Sequence, residues 1–144
     1  MADFYKAFEK IQKNEGGYVN NKNDKGGETF MGICRKYYPD NFMWQLIDEI
    51  KIKYGTATAT VNRYAKNTAA IITQVRGIYR QSYWNKLNLD VIPSQRVAQL
   101  LFDDAVNRGI SAAIKTAQKL VGLPETGRMS TELTKRLSVY GKRK

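Results

Sequence analysis

Three carboxylates and one hydroxyl lie close together near the start of the chain: Glu15, Asp24, Glu28 and Thr29. They occupy the densest glycine segment of the sequence, Glu15 to Ile33, interleaved with Gly16-Gly17, Gly26-Gly27 and Gly32. Two carboxylates in different environments can divide acid–base work. One stays protonated and donates; the other is ionised and activates water or supports a developing cation, which is the requirement of glycoside hydrolysis. Glu15 is the candidate acid, because a helix ending at Gly16-Gly17 would set it at the negative end of the helix dipole, where ionisation is disfavoured. The two glycines carry no side chains and leave a sugar room to approach. Asp24, in a polar turn with Asn20, Asn21 and Asn23, is the better ionised partner, and Thr29 could hold a water by its hydroxyl. Glu28 is the alternative second carboxylate. It alternates with Thr29 along a strand, so only one of the two faces a cleft, and Glu28 is expected to face outward.

The elements that must position these groups follow from spacing. Phe4, Ala7, Phe8 and Ile11 predict an amphipathic helix over 3–14, with Asp3 as its N-cap. Residues 18–33 lack helical periodicity and predict a small β-hairpin around an Asn/Asp/Gly turn. Residues 33–38 predict a short helical turn before Pro39. Further helices are predicted over 41–53 (Phe42, Leu46, Ile47 and Ile50 inward, closed by Gly55) and over 60–84 (Tyr64, Ile71, Ile72, Val75, Ile78 and Tyr79 on one side). Another starts at Pro93 with Val97, Leu100, Leu101 and Ala105 buried and ends at Gly109. The last two are capped by Ser111 and Ser130, with Ile114, Ala117, Leu120 and Val121 inward on the first and Leu133 and Leu137 on the second. The fold class is mainly α, with one small hairpin near the N-terminus, and residues 85–93 are the candidate boundary between two halves.

Composition narrows the chemistry. The 144 residues include no histidine and one cysteine, Cys34. His-ligated zinc, Ser-His-Asp and Cys-His machinery are therefore excluded, as is an intrachain disulfide. Carboxylates, tyrosines and lysines remain for acid–base work, and no cofactor or metal is called for. Lys+Arg number 24 against 13 Asp+Glu, a net charge of +11, which favours a polyanionic partner such as the bacterial wall. No recognised nucleic-acid motif is present, so nucleic acid is not the expected partner. No apolar run is long enough to insert in a membrane. The N-terminus lacks the features of a signal peptide, so synthesis in the cytoplasm and action on the wall after release are expected, by a monomer.

Glu15-Gly-Gly-Tyr18, then Asp24, Gly26-Gly27, Thr29 and Gly32-Ile33, resemble the signature of glycoside hydrolase family 108, a family of N-acetylmuramidases. The spacing Glu15, Asp24, Thr29 also resembles the phage lysozyme pattern. Leu101-Phe102-Asp103-Asp104-Ala105-Val106-Asn107-Arg108-Gly109, with Ala113, Ala117-Gln118 and the preceding Tyr83-Trp84, resembles the peptidoglycan-binding domain that usually follows this catalytic region. The resemblance implies an α+β lysozyme-like fold, with a muramidase half over 1–84 and a helical peptidoglycan-binding half over 85–144. It also implies Glu15 as general acid, and hydrolysis of the bond from N-acetylmuramic acid to N-acetylglucosamine by a phage endolysin. A muramidase accessory to protein secretion is the alternative on the same fold; a non-catalytic basic binding protein is the alternative in another class. Two positions depart from the pattern: Cys34 where a small hydroxyl residue is common, and Lys22 where proline is common. Two substrate-binding candidates complete the set. Tyr18 could stack on a sugar face or belong to the core, as could Tyr83 and Trp84, with core favoured for Trp84. Asn107 could bind a sugar amide or cap the helix end before Gly109.

Overall fold

The computed structural model describes residues 1–14, 16–23 and 26–142, with side chains up to Tyr140. Glu15 and Asp24 lie outside the described residues. The chain forms two compact units, one built from Met1–Ile11 with Ile78–Lys144 and the other from Gln12–Gly77. No described helix is long and apolar enough to cross a membrane.

The first unit begins with α1 (Phe4–Asn14), whose N-terminus is capped as its sequence suggests: Asp3 Oδ1 accepts from Tyr5 N at 2.8 Å. Phe4, Ala7, Phe8 and Ile11 are all buried. The partners of α1 come from the far end of the sequence. Asp3 N donates to Gln95 Oε1 at 2.6 Å, Gln95 Nε2 returns a bond to Asp3 O at 3.0 Å, and Gln99 Nε2 donates to Ala7 O at 3.3 Å. The rings of Phe4, Trp84 and Phe102 meet edge to face with centroids 5.4–6.0 Å apart, and Tyr79 closes on Phe8 and Phe102. Trp84 is a core residue; its Nε1 donates to Asp90 Oδ1 at 2.7 Å, which satisfies the one polar atom of a buried indole. Helices α5 (Gln95–Arg108), α6 (Ile110–Leu120) and α7 (Thr131–Lys142) complete this unit. Ser94, one residue after Pro93, caps α5 through Val97 N, and Ser130 caps α7 through Leu133 N. Helix α6 starts at Ile110 with Gly109 at its N-cap, not at Ser111. Leu100 and Leu120, expected to be buried, are exposed.

The second unit carries an antiparallel sheet of three strands in the order β1 (Tyr18–Asn20), β2 (Glu28–Phe30), β3 (Ile33–Cys34). Tyr18 pairs with Phe30, Val19 with Thr29 and Asn20 with Glu28; Phe30 pairs with Ile33. Met31 and Gly32 form the two-residue turn between β2 and β3, both with positive φ (49° and 81°), as a type I′ hairpin requires. Ile33-Cys34 is therefore a strand and not the start of a helical turn. Helix α2 (Phe42–Tyr54) is capped by Asn41 and closed by Gly55. Its core face is Met43, Trp44, Ile47 and Ile50, which leaves Phe42 outside.

The single helix expected over 60–84 is three segments: α3 (Thr58–Lys66), α4 (Ala69–Tyr79) and a π-helical turn, Arg80–Trp84. The break has a local cause. Asn67 N and Thr68 Oγ1 both bond to Tyr64 O, at 3.2 and 2.7 Å, and close α3 before α4 begins.

Candidate functional site

The sheet separates the candidate residues by face. Alternation puts Tyr18, Glu28, Phe30 and Ile33 on one side and Val19, Thr29 and Cys34 on the other. The first side is the core side: Tyr18, Phe30 and Ile33 are each at most 3% exposed. The second is open, with Val19 exposed and Thr29 and Cys34 half-buried. Thr29 Cγ2 and Cys34 Sγ both lie close to Gly26, where an added Cβ would meet them at 3.8 and 3.6 Å. Thr29 thus lies on the open face, beside the glycine pair that precedes it.

Glu28 is on the opposite side and is not an outward-facing neighbour. Its side chain is 12% exposed and is held by three donors. Tyr18 Oη donates to Oε2 at 2.5 Å, Arg35 Nη1 to Oε1 at 2.9 Å, and Lys51 Nζ to Oε2. Arg35 also grips Asp48 with both terminal nitrogens, at 2.8 and 2.7 Å, and its guanidinium lies over the Trp44 ring. Burial alone would raise the Glu28 carboxyl, but the bonds from Lys51, Tyr18 and Arg35 outweigh it and hold the group below its ordinary value. Burial pushes against the Lys51 ammonium, and the bonds to Glu28 and Tyr18 reverse that, so Lys51 is raised. Tyr18 is raised by burial and by Glu28 beside it. Three donors favour the ionised form of this carboxylate, and its place on the core side of the sheet turns it away from the open face. Its chemistry is that of a strut between the sheet and α2.

Tyr18 is likewise removed from direct sugar contact. It is buried, its hydroxyl is taken by Glu28, and the Lys51 ammonium lies 5.4 Å from its ring centroid, so the ring has no free face for stacking. Its role is to anchor β1 through Glu28.

The chain just beyond Glu15 is clamped from two sides. Tyr18 N donates to Asn62 Oδ1 of α3 at 3.1 Å, and Gly17 O accepts from Met31 N at 3.3 Å. A Cβ on Gly17 would overlap the Asn62 carboxamide. Gly17 is thus required by close approach to α3, beyond any need to admit a sugar. Asn62 was invisible in the sequence as a site residue. No motif marks it, and its partner is 44 positions away.

Asn107 belongs to the other unit. It is exposed near the end of α5 and does not cap it; Gly109 N closes the helix by donating to Ala105 O at 2.8 Å, with φ of 99° at the glycine. Tyr83 stacks on Tyr79 with centroids 5.7 Å apart.

With this arrangement in view, the chain can be set beside known proteins. A sequence model of the family described as glycosyl hydrolase 108 matches residues 8–109, from α1 through the sheet to the end of α5. The chain belongs to that family. It is therefore a glycoside hydrolase, of a family whose substrate class is peptidoglycan. The solved structure of Brucella abortus SagA is similar, with a TM-score of 0.61 and 29% identity over 93% of this chain and 67% of that one. The shared fold is the mainly helical, lysozyme-like α+β architecture implied by the resemblance. No curated protein matches the chain significantly. The family match contains Glu15, Asp24, Thr29 and Asn107 and stops at Gly109, leaving α6 and α7 outside it.

Proposed function

We propose that this glycoside hydrolase is an N-acetylmuramidase that cuts the bond from N-acetylmuramic acid to N-acetylglucosamine, with Glu15 as general acid, Asp24 as the ionised partner and Thr29 holding a water. The observation that carries the reading is the family match across the whole Glu15–Thr29 stretch. The core-side engagement of Glu28 favours Asp24 over Glu28 as the second carboxylate. In this mechanism Glu15 donates its proton to the leaving oxygen as the glycosidic bond breaks. Asp24 supports the oxocarbenium-like transition state, and water on Thr29 supplies the incoming oxygen, its released proton passing to a carboxylate of the pair. Glu15 is next in sequence to α1, and the negative end of that helix favours the protonated acid. The net charge of +11 suits an anionic wall. Residues 85–144 act as the wall-binding half, and Asn107, exposed and not spent on capping, takes a sugar amide. The biological setting we propose is phage-induced lysis, by a monomer made in the cytoplasm that reaches the wall after membrane disruption.

Digestion of purified sacculi tests the reading. New reducing ends should be muramic acid; an anhydro-muramic product or a glucosamine reducing end overturns the bond assignment. Glu15→Gln should cost roughly 10²–10⁴-fold in rate, and near-normal activity in that variant removes Glu15 as the acid.

A further inference from the structure

Helices α5, α6 and α7, all in the unit that holds both ends of the chain, leave part of their apolar surface unused by the core. On α5, Val97 and Leu101 are buried while Leu100 between them is 57% exposed. On α6, Ala113 and Ala117 are buried and Leu120, on the same stripe, is 56% exposed. On α7, Leu137 is buried and Val139 is half exposed. The three helices wall a cavity of about 200 Å³ lined by Leu100, Ala113, Ala117, Leu120, Leu137 and Tyr140. Leu120 and Tyr140 also line a second, wider hollow of about 570 Å³ together with Val139. Large aliphatic side chains gathered half-exposed around one concavity mark an interaction surface more often than single scattered ones do.

Shape and charge select the occupant. A trough with small residues at its base accepts side chains projecting from one face of a helix, at positions i, i+4 and i+7. A flat bilayer surface would pass over it. Arg96 lines the smaller hollow and Lys135 the wider one, and neither makes an ion pair among the described residues. The acids at the same surface are already paired: Asp104 with Arg108 at 2.5 Å and Glu132 with Arg136 at 2.9 Å. The free charge at the rim is thus positive. A second copy of the chain would bring the same cations and the same net +11 against it.

We propose that this groove docks an acidic amphipathic helix of a partner protein. Leucine-type side chains enter the trough, and flanking carboxylates meet Arg96 and Lys135.

The test titrates the full chain with a synthetic helix of about 14 residues, four turns, with leucine at i, i+4, i+7 and i+11 and glutamate on both flanks. Saturable binding by calorimetry is expected. Leu120→Ser, at a position exposed enough to leave the fold intact, should weaken it at least about tenfold. Arg96→Glu should weaken it as well and flatten its salt dependence. The same peptide with lysine in place of glutamate should not bind. Absence of saturable binding, equal binding of the lysine peptide, or unchanged binding by Leu120→Ser overturns the proposal. A concentration-dependent dimer in sedimentation that Leu120→Ser abolishes would assign the groove to a second copy. Binding to vesicles of anionic phospholipid that the same change abolishes would assign it to a membrane. Either result also overturns the proposal.

Discussion

Phe102 and Glu28 each stand at the middle of a largely buried cluster, and the two clusters could hardly be made of more different parts. Around Phe102 the neighbours are rings, those of Phe4, Tyr79 and Trp84, brought together from both ends of the chain. Around Glu28 they are a phenol, a guanidinium and an ammonium, tied by directional bonds and backed by Asp48. Ring packing is strong and loosely directional, so it supplies free energy and tolerates small shifts. Hydrogen-bonded charges in a dry setting contribute less net stability but fix angles, because a misplaced partner leaves a charge uncompensated. The unit that contains the Glu15–Thr29 stretch is the one built on the directional kind.

The contrast can be broken experimentally, and the largest effect is expected on the aromatic side. Phe102→Ala should cost about 3–5 kcal/mol by opening a cavity among the rings, read as a fall in melting temperature or denaturant midpoint. A loss below about 1 kcal/mol would mean that the rings repack and the cluster is not the keystone. Next comes Glu28→Gln, expected to cost about 1–3 kcal/mol because the amide keeps one acceptor oxygen, carries no charge, and turns an NH2 donor toward Lys51 or Arg35. This variant also has a pH signature. The Glu28 carboxyl is lowered below its ordinary 4.5 in the folded protein, so its contribution is present above about 4.5 and is lost as pH falls through the folded value. The native chain should therefore lose stability on acidification more steeply than Glu28→Gln, and parallel pH profiles of melting would contradict the strut role. The smallest effect on stability belongs to Asn62→Ala, about 0.5–1.5 kcal/mol for one net hydrogen bond. Its activity should nevertheless fall well beyond what that loss of folded protein explains, because the bond fixes the backbone two to three residues after Glu15. Activity unchanged at full folding would reduce Asn62 to an ordinary packing residue.

How much of this could be read from the sequence depends on the range of the interactions. Local devices were legible: the Asp3 and Ser130 caps, the glycine stops at 55 and 109, and the hairpin placed by its turn residues. The break at Asn67-Thr68 was not, because neither proline nor glycine marks it and the two side chains compete for one carbonyl only once α3 exists. Alternation correctly separated Glu28 from Thr29, yet it could not say which face was wet. That answer depends on Lys51, 23 positions away on α2. Leu100 shows the converse error: helical spacing predicts burial, and nothing in the sequence says that a groove and not a core lies opposite. The sequence offers the candidate site only as a pattern of residue types. Its supports, Asn62 and the Glu28 cluster, were not legible, since both are assembled by tertiary contacts.

The bonds that join α1 to α5 have a consequence for the order of events at the ribosome. The acceptor and donor pairs between Asp3 or Ala7 and Gln95 or Gln99 span 92 residues. At about 5–20 residues per second, the first helix is made roughly 5–18 s before its partners, and the whole segment 12–77 is synthesised in that interval. The helix that leads into Glu15 is thus the earliest element to be made and among the last to be secured. A nascent or truncated chain that lacks α5 leaves Asp3 and Ala7 without these partners, so the first helix is secured only after the chain has grown past residue 99.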